Sequence, residues 1–167
     1  MRKKMEIRKA RREDLRELLD IYNYEVLNGV ATFDLNPKSM EEWEKWYMAH
    51  NVGNHPLIVA VYDGHVAGYA SLSSYREKEA YRSTVELSVY VSPVYRRRGV
   101  AAALMKEILE LARQDESIHM VVSVITSGNE ASEKLHRRFG FSFCGTIHDM
   151  GFKMGEYRSI DNYELMV

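Results

Sequence analysis

The 167-residue chain has a single cysteine, Cys144. One thiol cannot close an intrachain disulfide, so a reducing, cytoplasmic setting is expected. No apolar run approaches the roughly 18 residues that would span a membrane. The basic start, MRKKMEIRKARRED, has no apolar run behind it, so no signal peptide is expected. Neither sign of charge dominates. Lys and Arg number 23 and Asp and Glu 24, for a net charge of −1, which argues against broad nucleic-acid binding. The six histidines, His50, His55, His65, His119, His136 and His148, show no ligand spacing, and with one cysteine no metal site is expected. Gly-x-Ser-x-Gly is absent, so nothing supports a serine hydrolase. Repeats, linkers and low-complexity segments are absent too.

What remains is ordinary globular composition, 46% hydrophobic and 28% charged. The length predicts one domain, residues 1–167, able to bury roughly 70% of its unfolded surface. The chain is organised around Thr84–Gln114. Thr84–Val91 is β-branched, aromatic or alternating, which is strand chemistry. Ser92-Pro93 turns the chain. Arg96-Arg97-Arg98-Gly99 follows, and the period then changes. Val100, Leu104, Ile108 and Leu111 recur three or four apart and begin an amphipathic helix. A strand, a basic turn and a helix N-terminus together form an anion site, because the first helical N–H groups lack intrahelical partners and the dipole favours negative charge. Gly99 admits a bulky phosphate to the backbone, Ala101 keeps the next position small, and the arginines attract it. A solvated arginine run is the plain alternative, but positive charge there opposes the dipole unless an anion is present. Neither Walker A nor Gly-x-Gly-x-x-Gly is present.

Around this centre the pattern predicts a strand at Met5–Ala10 and a helix from Arg11 to Leu27, ended at Asn28-Gly29 with Gly29 as its C-terminal glycine. Ser39 with Glu42 is a capping box for a helix over Met40–His50. Strands follow from His55-Pro56 to Val61 and over His65–Ser73, with a hairpin turn at Asp63-Gly64. Arg76–Arg82 reads as a polar loop over the sheet edge. Ile118–Ile125 is a buried strand. Ser127-Gly128-Asn129 caps a helix to about Arg138, which Gly140 ends. The last strands are Phe141–His148 and Ile160–Val167. The order βααβββαβαββ is mixed α/β, with local parallel pairing in the middle.

Arg96-x-x-Gly99-x-Ala101 after a strand resembles the pyrophosphate loop of the GCN5-related N-acetyltransferases, the GNAT family. The strand VELSVYV, Val85–Val91, is similar to one in the branch that acetylates phosphinothricin and methionine sulfoximine. The resemblance runs over nearly the whole chain. It implies the GNAT fold, a mixed sheet of about seven strands flanked by helices, and acetyl-CoA as cosubstrate. It implies that Val89, Tyr90 and Val91 meet the pantetheine through their backbone. It also implies that Arg96, Arg97, Arg98, Gly99, Val100, Ala101 and Ala102 form the pyrophosphate loop.

Glu86 is a lone carboxylate on an apolar strand and needs a partner or a role. Acetyl transfer to an amine requires loss of a proton from the ammonium, which a carboxylate can accept; the resemblance implies that role for Glu86. The alternatives are an ion pair with an arginine such as Arg82, or an outward-facing side chain. The resemblance also implies that Asn129 touches the coenzyme; it can equally be an N-cap. At the position of His136 many relatives carry a tyrosine that protonates the departing thiolate. A histidine can donate near neutral pH, and a packed structural histidine is the alternative. Arg138 is read as a phosphate contact or a solvated side chain. Arg76, Glu77 and Lys78, with Glu86, Leu87 and Ser88, are implied to line the acceptor pocket; solvation is the alternative for the first three. Ile21-Tyr22-Asn23 and Thr32-Phe33 resemble acceptor-side segments, although Tyr22 also fits the core stripe of its helix. The run Gly151–Arg158 resembles a Gly-x-Lys-x-Gly-x-Trp pattern, with Tyr157 for tryptophan and Ser159 for a usual aspartate. Relatives dimerise through this region, so a homodimer is implied.

The expected function is transfer of acetyl from acetyl-CoA to the amine of a small amino acid or analogue in a ternary complex. Peptide N-terminal acetylation, a non-catalytic acyl-CoA-binding module and nucleic-acid binding through Arg96–Arg98 are the rival expectations.

Overall fold

A computed structural model describes residues 4–167; Met1 to Lys3 of the basic start lie outside the described residues. The elements are β1 (Glu6–Lys9), α1 (Leu15–Asn28), α2 (Met40–Met48), β2 (Leu57–Tyr62), β3 (His65–Ser74), β4 (Thr84–Val91), α3 (Val100–Gln114), β5 (Met120–Thr126), α4 (Glu130–Arg138), β6 (Ser142–Lys153) and β7 (Glu156–Met166). The expected order holds. The strands form one seven-stranded sheet in the order β1-β2-β3-β4-β5-β7-β6. Every neighbouring pair is antiparallel except β4–β5. β5 thus follows β4 in parallel through the crossover helix α3, as the strand–turn–helix–strand pattern predicts.

Two layers of apolar side chains cover the sheet. On one face α3 buries Val100, Leu104, Met105, Ile108, Leu109 and Ala112 against Val85, Leu87 and Val121. Each such large side chain contributes about 1.5–3 kcal/mol by leaving water. Gly68 lets α3 come close: a Cβ there would lie 2.7 Å from the Tyr90 carbonyl and 3.1 Å from Val100. On the other face α1 and α2 pack an aromatic cluster, with Trp43 stacked on Tyr22 and Trp46, and Tyr90 against Tyr22 and Tyr69. Alternation along β4 therefore sends Val85 and Leu87 toward α3, and Glu86, Ser88 and Tyr90 toward α1 and α2.

Local chemistry sets the boundaries. Ser39 and Glu42 form the expected reciprocal cap of α2. Asp63 and Gly64 both take positive φ in the β2–β3 turn, the conformation a two-residue hairpin needs.

Several expectations are corrected. α1 starts at Leu15, not Arg11, because Arg12–Asp14 is a tighter 3-10 turn whose Asp14 side chain accepts from the Arg11 N–H. Gly29 is not a left-handed cap. It is extended, at φ −133° and ψ −179°, since the chain runs straight on into a loop. The Arg76–Arg82 loop is not at a sheet edge, because β3 and β4 are interior strands. The last two strands are much longer than their alternation suggested. β6 and β7 form one hairpin that turns at Met154-Gly155, both with positive φ. Register shifts at Phe143/Gly145 and Ile147/Gly151 break the period along β6, which conceals a bulged strand from a period-two reading.

Candidate active site

The parallel ladder between β4 and β5 is short. It pairs Thr84 with Met120, Val85 with Val121 and Glu86 with Val122, and ends there. β5 stays paired with β7 along its whole length, and β4 with β3 as far as Val91. The two strands therefore part beyond Glu86, and the free backbone edge of Leu87–Val91 looks into a cleft. This cleft encloses about 490 Å³ and is lined by Leu87 to Val91 on one wall and Ser123 to Thr126 on the other. Ala101 of α3 and Asn129, Ser132, Leu135 and His136 of α4 close one side; Glu25 and Ala31 close the side toward α1. An unpaired strand edge suits an amide-bearing ligand, because buried backbone N–H and C=O groups require partners.

α3 opens onto this cleft without a cap. Gly99, at φ 76°, makes no side-chain cap bond, and no acidic residue lies in the first turn. The first intrahelical bond runs from the Ala103 N–H to the Gly99 carbonyl, so the N–H groups of Val100, Ala101 and Ala102 have no helical partner. By contrast α2 is capped by Ser39 and α4 by Asn129, each with acidic residues in its first turn. The cleft and this helix end fit a ligand with a polyanionic end and an amide-bearing arm.

The arginines divide. Arg97 takes a left-handed conformation, φ 62°, and it is exposed. Arg98 lies over the rings of Tyr62 and Tyr95. Arg96 lines the cleft and is bound at 2.7 Å to Glu25, whose side chain is mostly buried. Arg138 lies over Phe139 and does not line the cleft. Arg76 lies over Tyr75 and Tyr81, and it, Glu77 and Lys78 are exposed outside the cleft. Arg96, Arg97 and Arg98 are neighbours along the chain, but ring stacking and ion pairing separate them.

Glu86 is half-buried, and its side chain has no hydrogen bond or ion pair among the described residues; the alternative pairing with Arg82 is not formed. Burial without a cation pushes its carboxyl above the ordinary value. It sits at the last rung before the strands part, on the same face as the cleft-lining Ser88 and Tyr90. A carboxylate so placed can accept a proton, although Glu86 itself is not among the residues that line the cleft.

His136 is buried in the cleft wall, beside Phe141 and Tyr163. Its Nδ1–H donates to the Ser132 carbonyl at 2.7 Å, which leaves Nε2 to accept from the Ser123 hydroxyl at 2.7 Å. Burial lowers its pKa. Both ring nitrogens are engaged, as in a packed histidine, although the side chain also lines the cleft. Asn129 is an N-cap, accepting from the Ser132 N–H at 3.2 Å, and lines the cleft as well. Glu25, Ala31, Ser123–Thr126, Ala131, Ser132 and Leu135 line the cleft with no motif in the sequence to mark them. Glu25 and Ala31 come from the first fifth of the chain, and no local spacing signals such a long-range approach.

A family model described as the acetyltransferase (GNAT) family matches residues 13–141. The chain belongs to that family, and it is an acetyl-CoA-dependent N-acetyltransferase. It is 37% identical over 163 residues to a phosphinothricin N-acetyltransferase of Streptomyces coelicolor, covering 96% of this chain and 95% of that protein. It is likewise 37% identical over 160 residues to an L-methionine sulfoximine/L-methionine sulfone acetyltransferase of Pseudomonas paraeruginosa, covering 95% and 92%. A solved GNAT phosphinothricin acetyltransferase of Sinorhizobium meliloti in complex with AcCoA superposes with a TM-score of 0.90 at 33% identity, covering 98% and 88%. A solved ribosomal-protein-alanine N-acetyltransferase of Brucella melitensis superposes at 0.93 with 36% identity, covering 97% and 99%.

Proposed function

We propose that the acceptor is the amine of a small amino acid or analogue of the phosphinothricin or methionine sulfoximine type, and that Glu86 is the base. One observation carries this reading: a half-buried carboxylate, without a partner among the described residues, at the rung where β4 leaves β5. The relatives named for those two acceptors support the substrate class. The α3 N-terminus holds the pyrophosphate of acetyl-CoA, and the open edge of Val89–Val91 holds its pantetheine. The coenzyme supplies the activated thioester. The amine comes from the α1 side, gives a proton to Glu86 and attacks the carbonyl. A backbone N–H near Val89 stabilises the charge that develops on oxygen. The C–N bond forms and the C–S bond breaks; His136 holds the Ser123 wall in place, and water passes the second proton of the amine nitrogen to the departing thiolate. Asn129 meets the coenzyme through the cleft side of its cap, and Arg97 meets the phosphates as a long-range charge. We further place the enzyme in the cytoplasm, where its one exposed thiol, Cys144, stays reduced.

A second reading has its own support: the likeness to the ribosomal-protein-alanine enzyme favours an N-terminal peptide as acceptor. The deciding experiment measures thiol release from acetyl-CoA with phosphinothricin, methionine sulfoximine, common amino acids, polyamines and short peptides. Saturable release with the first two is expected. Release with peptides alone would move the acceptor to the second reading.

A further inference from the structure

Six residues between α1 and α2, Gly29–Asp34, form no helix or strand, yet Ala31 within them lines the cleft on the side toward α1, from which the proposed function brings the amine. A loop in such a place is held by outside partners or not at all. Here the partners are side chains from distant strands. Lys153, the last residue of β6, is only 4% exposed. Its Nζ donates to the Thr32 carbonyl at 2.8 Å and to the Glu25 carbonyl at 3.4 Å. It has no ion-pair partner among the described residues; two main-chain oxygens hold it instead. From β5 the Thr126 hydroxyl donates to the Val30 carbonyl. From α1 the Tyr22 hydroxyl bonds Thr32 Oγ1 at 3.0 Å and Asp34. Phe33 packs against β6 at Gly151, where a Cβ would stand 2.6 Å from its ring.

A buried lysine is costly, since its charge leaves water. A methionine would fill the same volume without that cost. The cation's use here is geometric: it fixes two carbonyls on either side of the turn that carries Ala31. One of them belongs to Glu25, whose carboxylate binds Arg96 of the phosphate loop at 2.7 Å.

We infer that Lys153 is a positioning residue that clamps Gly29–Asp34 as the acceptor-side wall of the cleft. The inference rests on the acceptor reading above. It gives the tip of the β6–β7 hairpin a role in binding the amine, although no residue of that hairpin lines the cleft.

The test compares Lys153→Met with Thr126→Val, which removes a second staple without an added charge. Each is measured for the KM of the amine, kcat, acetyl-CoA affinity, melting temperature and amide exchange. The expected result for Lys153→Met is an amine KM raised about tenfold or more, with kcat and acetyl-CoA affinity within about threefold, the mark of lost substrate positioning. Lys153→Arg, which keeps a buried donor, recovers part of the loss. Exchange quickens at the Gly29 and Asp34 amides, which bond Glu25 O and Thr32 Oγ1, before global unfolding. Thr126→Val moves both readouts the same way. An unchanged amine KM in both folded variants would overturn the inference, as would an equal loss of acetyl-CoA affinity, which marks general loosening. Exchange needs no acceptor. Faster exchange in a protein that acetylates none of the amines would leave the clamp standing and sink the acceptor reading alone.

Discussion

At the scale of single residues, the site is set by which charges have partners. Arg96 has Glu25, Arg98 has two tyrosines, Lys153 has carbonyls, and Glu86 has none among the described residues. Its raised pKa makes a prediction about stability as well as rate. The folded chain holds the Glu86 proton more tightly than the unfolded chain, whose ordinary value is 4.5. As pH rises from 4.5 to the raised native value, the unfolded state binds fewer protons, so stability falls. Above that value the whole penalty of a buried carboxylate is present. Glu86→Gln removes the penalty. Its melting temperature should exceed that of the parent at pH 7 and match it near pH 4, while turnover falls about 10²–10⁴-fold with coenzyme binding intact. Melts at the two pH values and a thiol-release assay check both halves. Undiminished turnover would remove Glu86 as base.

At the scale of elements, α3 is the helix with no acidic residue in its first turn, and in the proposed function an anion takes that place. The buried stripe of α3 packs the sheet, and its N-terminus presents bare N–H groups to the cleft. Placing an acid in that first turn should stabilise the unliganded enzyme and spoil it for an anion. Ala101→Asp is expected to add about 0.3–1 kcal/mol to the ligand-free protein through the helix dipole. The same carboxylate should weaken CoA binding about tenfold or more, or about 1.4 kcal/mol. Calorimetric titration beside a thermal melt reads both signs. A loss of stability together with unchanged CoA affinity would mean that the anion sits elsewhere. The strand–turn–helix pattern was legible in the sequence because strand period, basic turn and helix period follow one another within thirty residues. The division of labour among its arginines was not, because Glu25, Tyr62 and Tyr24 reach them from distant elements.

At the scale of the whole molecule, β6 is a twelve-residue edge strand that exposes Phe143, Ile147, Met150 and Phe152. A long apolar edge invites pairing unless something covers it, and a second copy of the chain is the cover we propose. Phe152 is 57% exposed and meets Tyr157 across the hairpin. Phe152→Asp should yield monomers with a fold unchanged by circular dichroism, while the parent sediments as a dimer at micromolar concentration. A parent that sediments as a monomer would refute the homodimer.

The sequence by itself determined the order of elements, the basic turn that opens α3 and the family. Each of these is written in local periodicity, in capping residues and in one contiguous motif. It also placed Glu86 on the right strand, since a lone carboxylate among β-branched residues is visible without coordinates. Tertiary structure decided the rest. The β4–β5 ladder stops after three pairs, which makes the cleft, and no property of either strand alone states where its neighbour departs. The hairpin extends past two bulges that hide its alternation. Lys153 meets Thr32 across 121 positions of chain. Local pattern is carried by neighbours in sequence; a site is carried by neighbours in space, and packing alone brings those together.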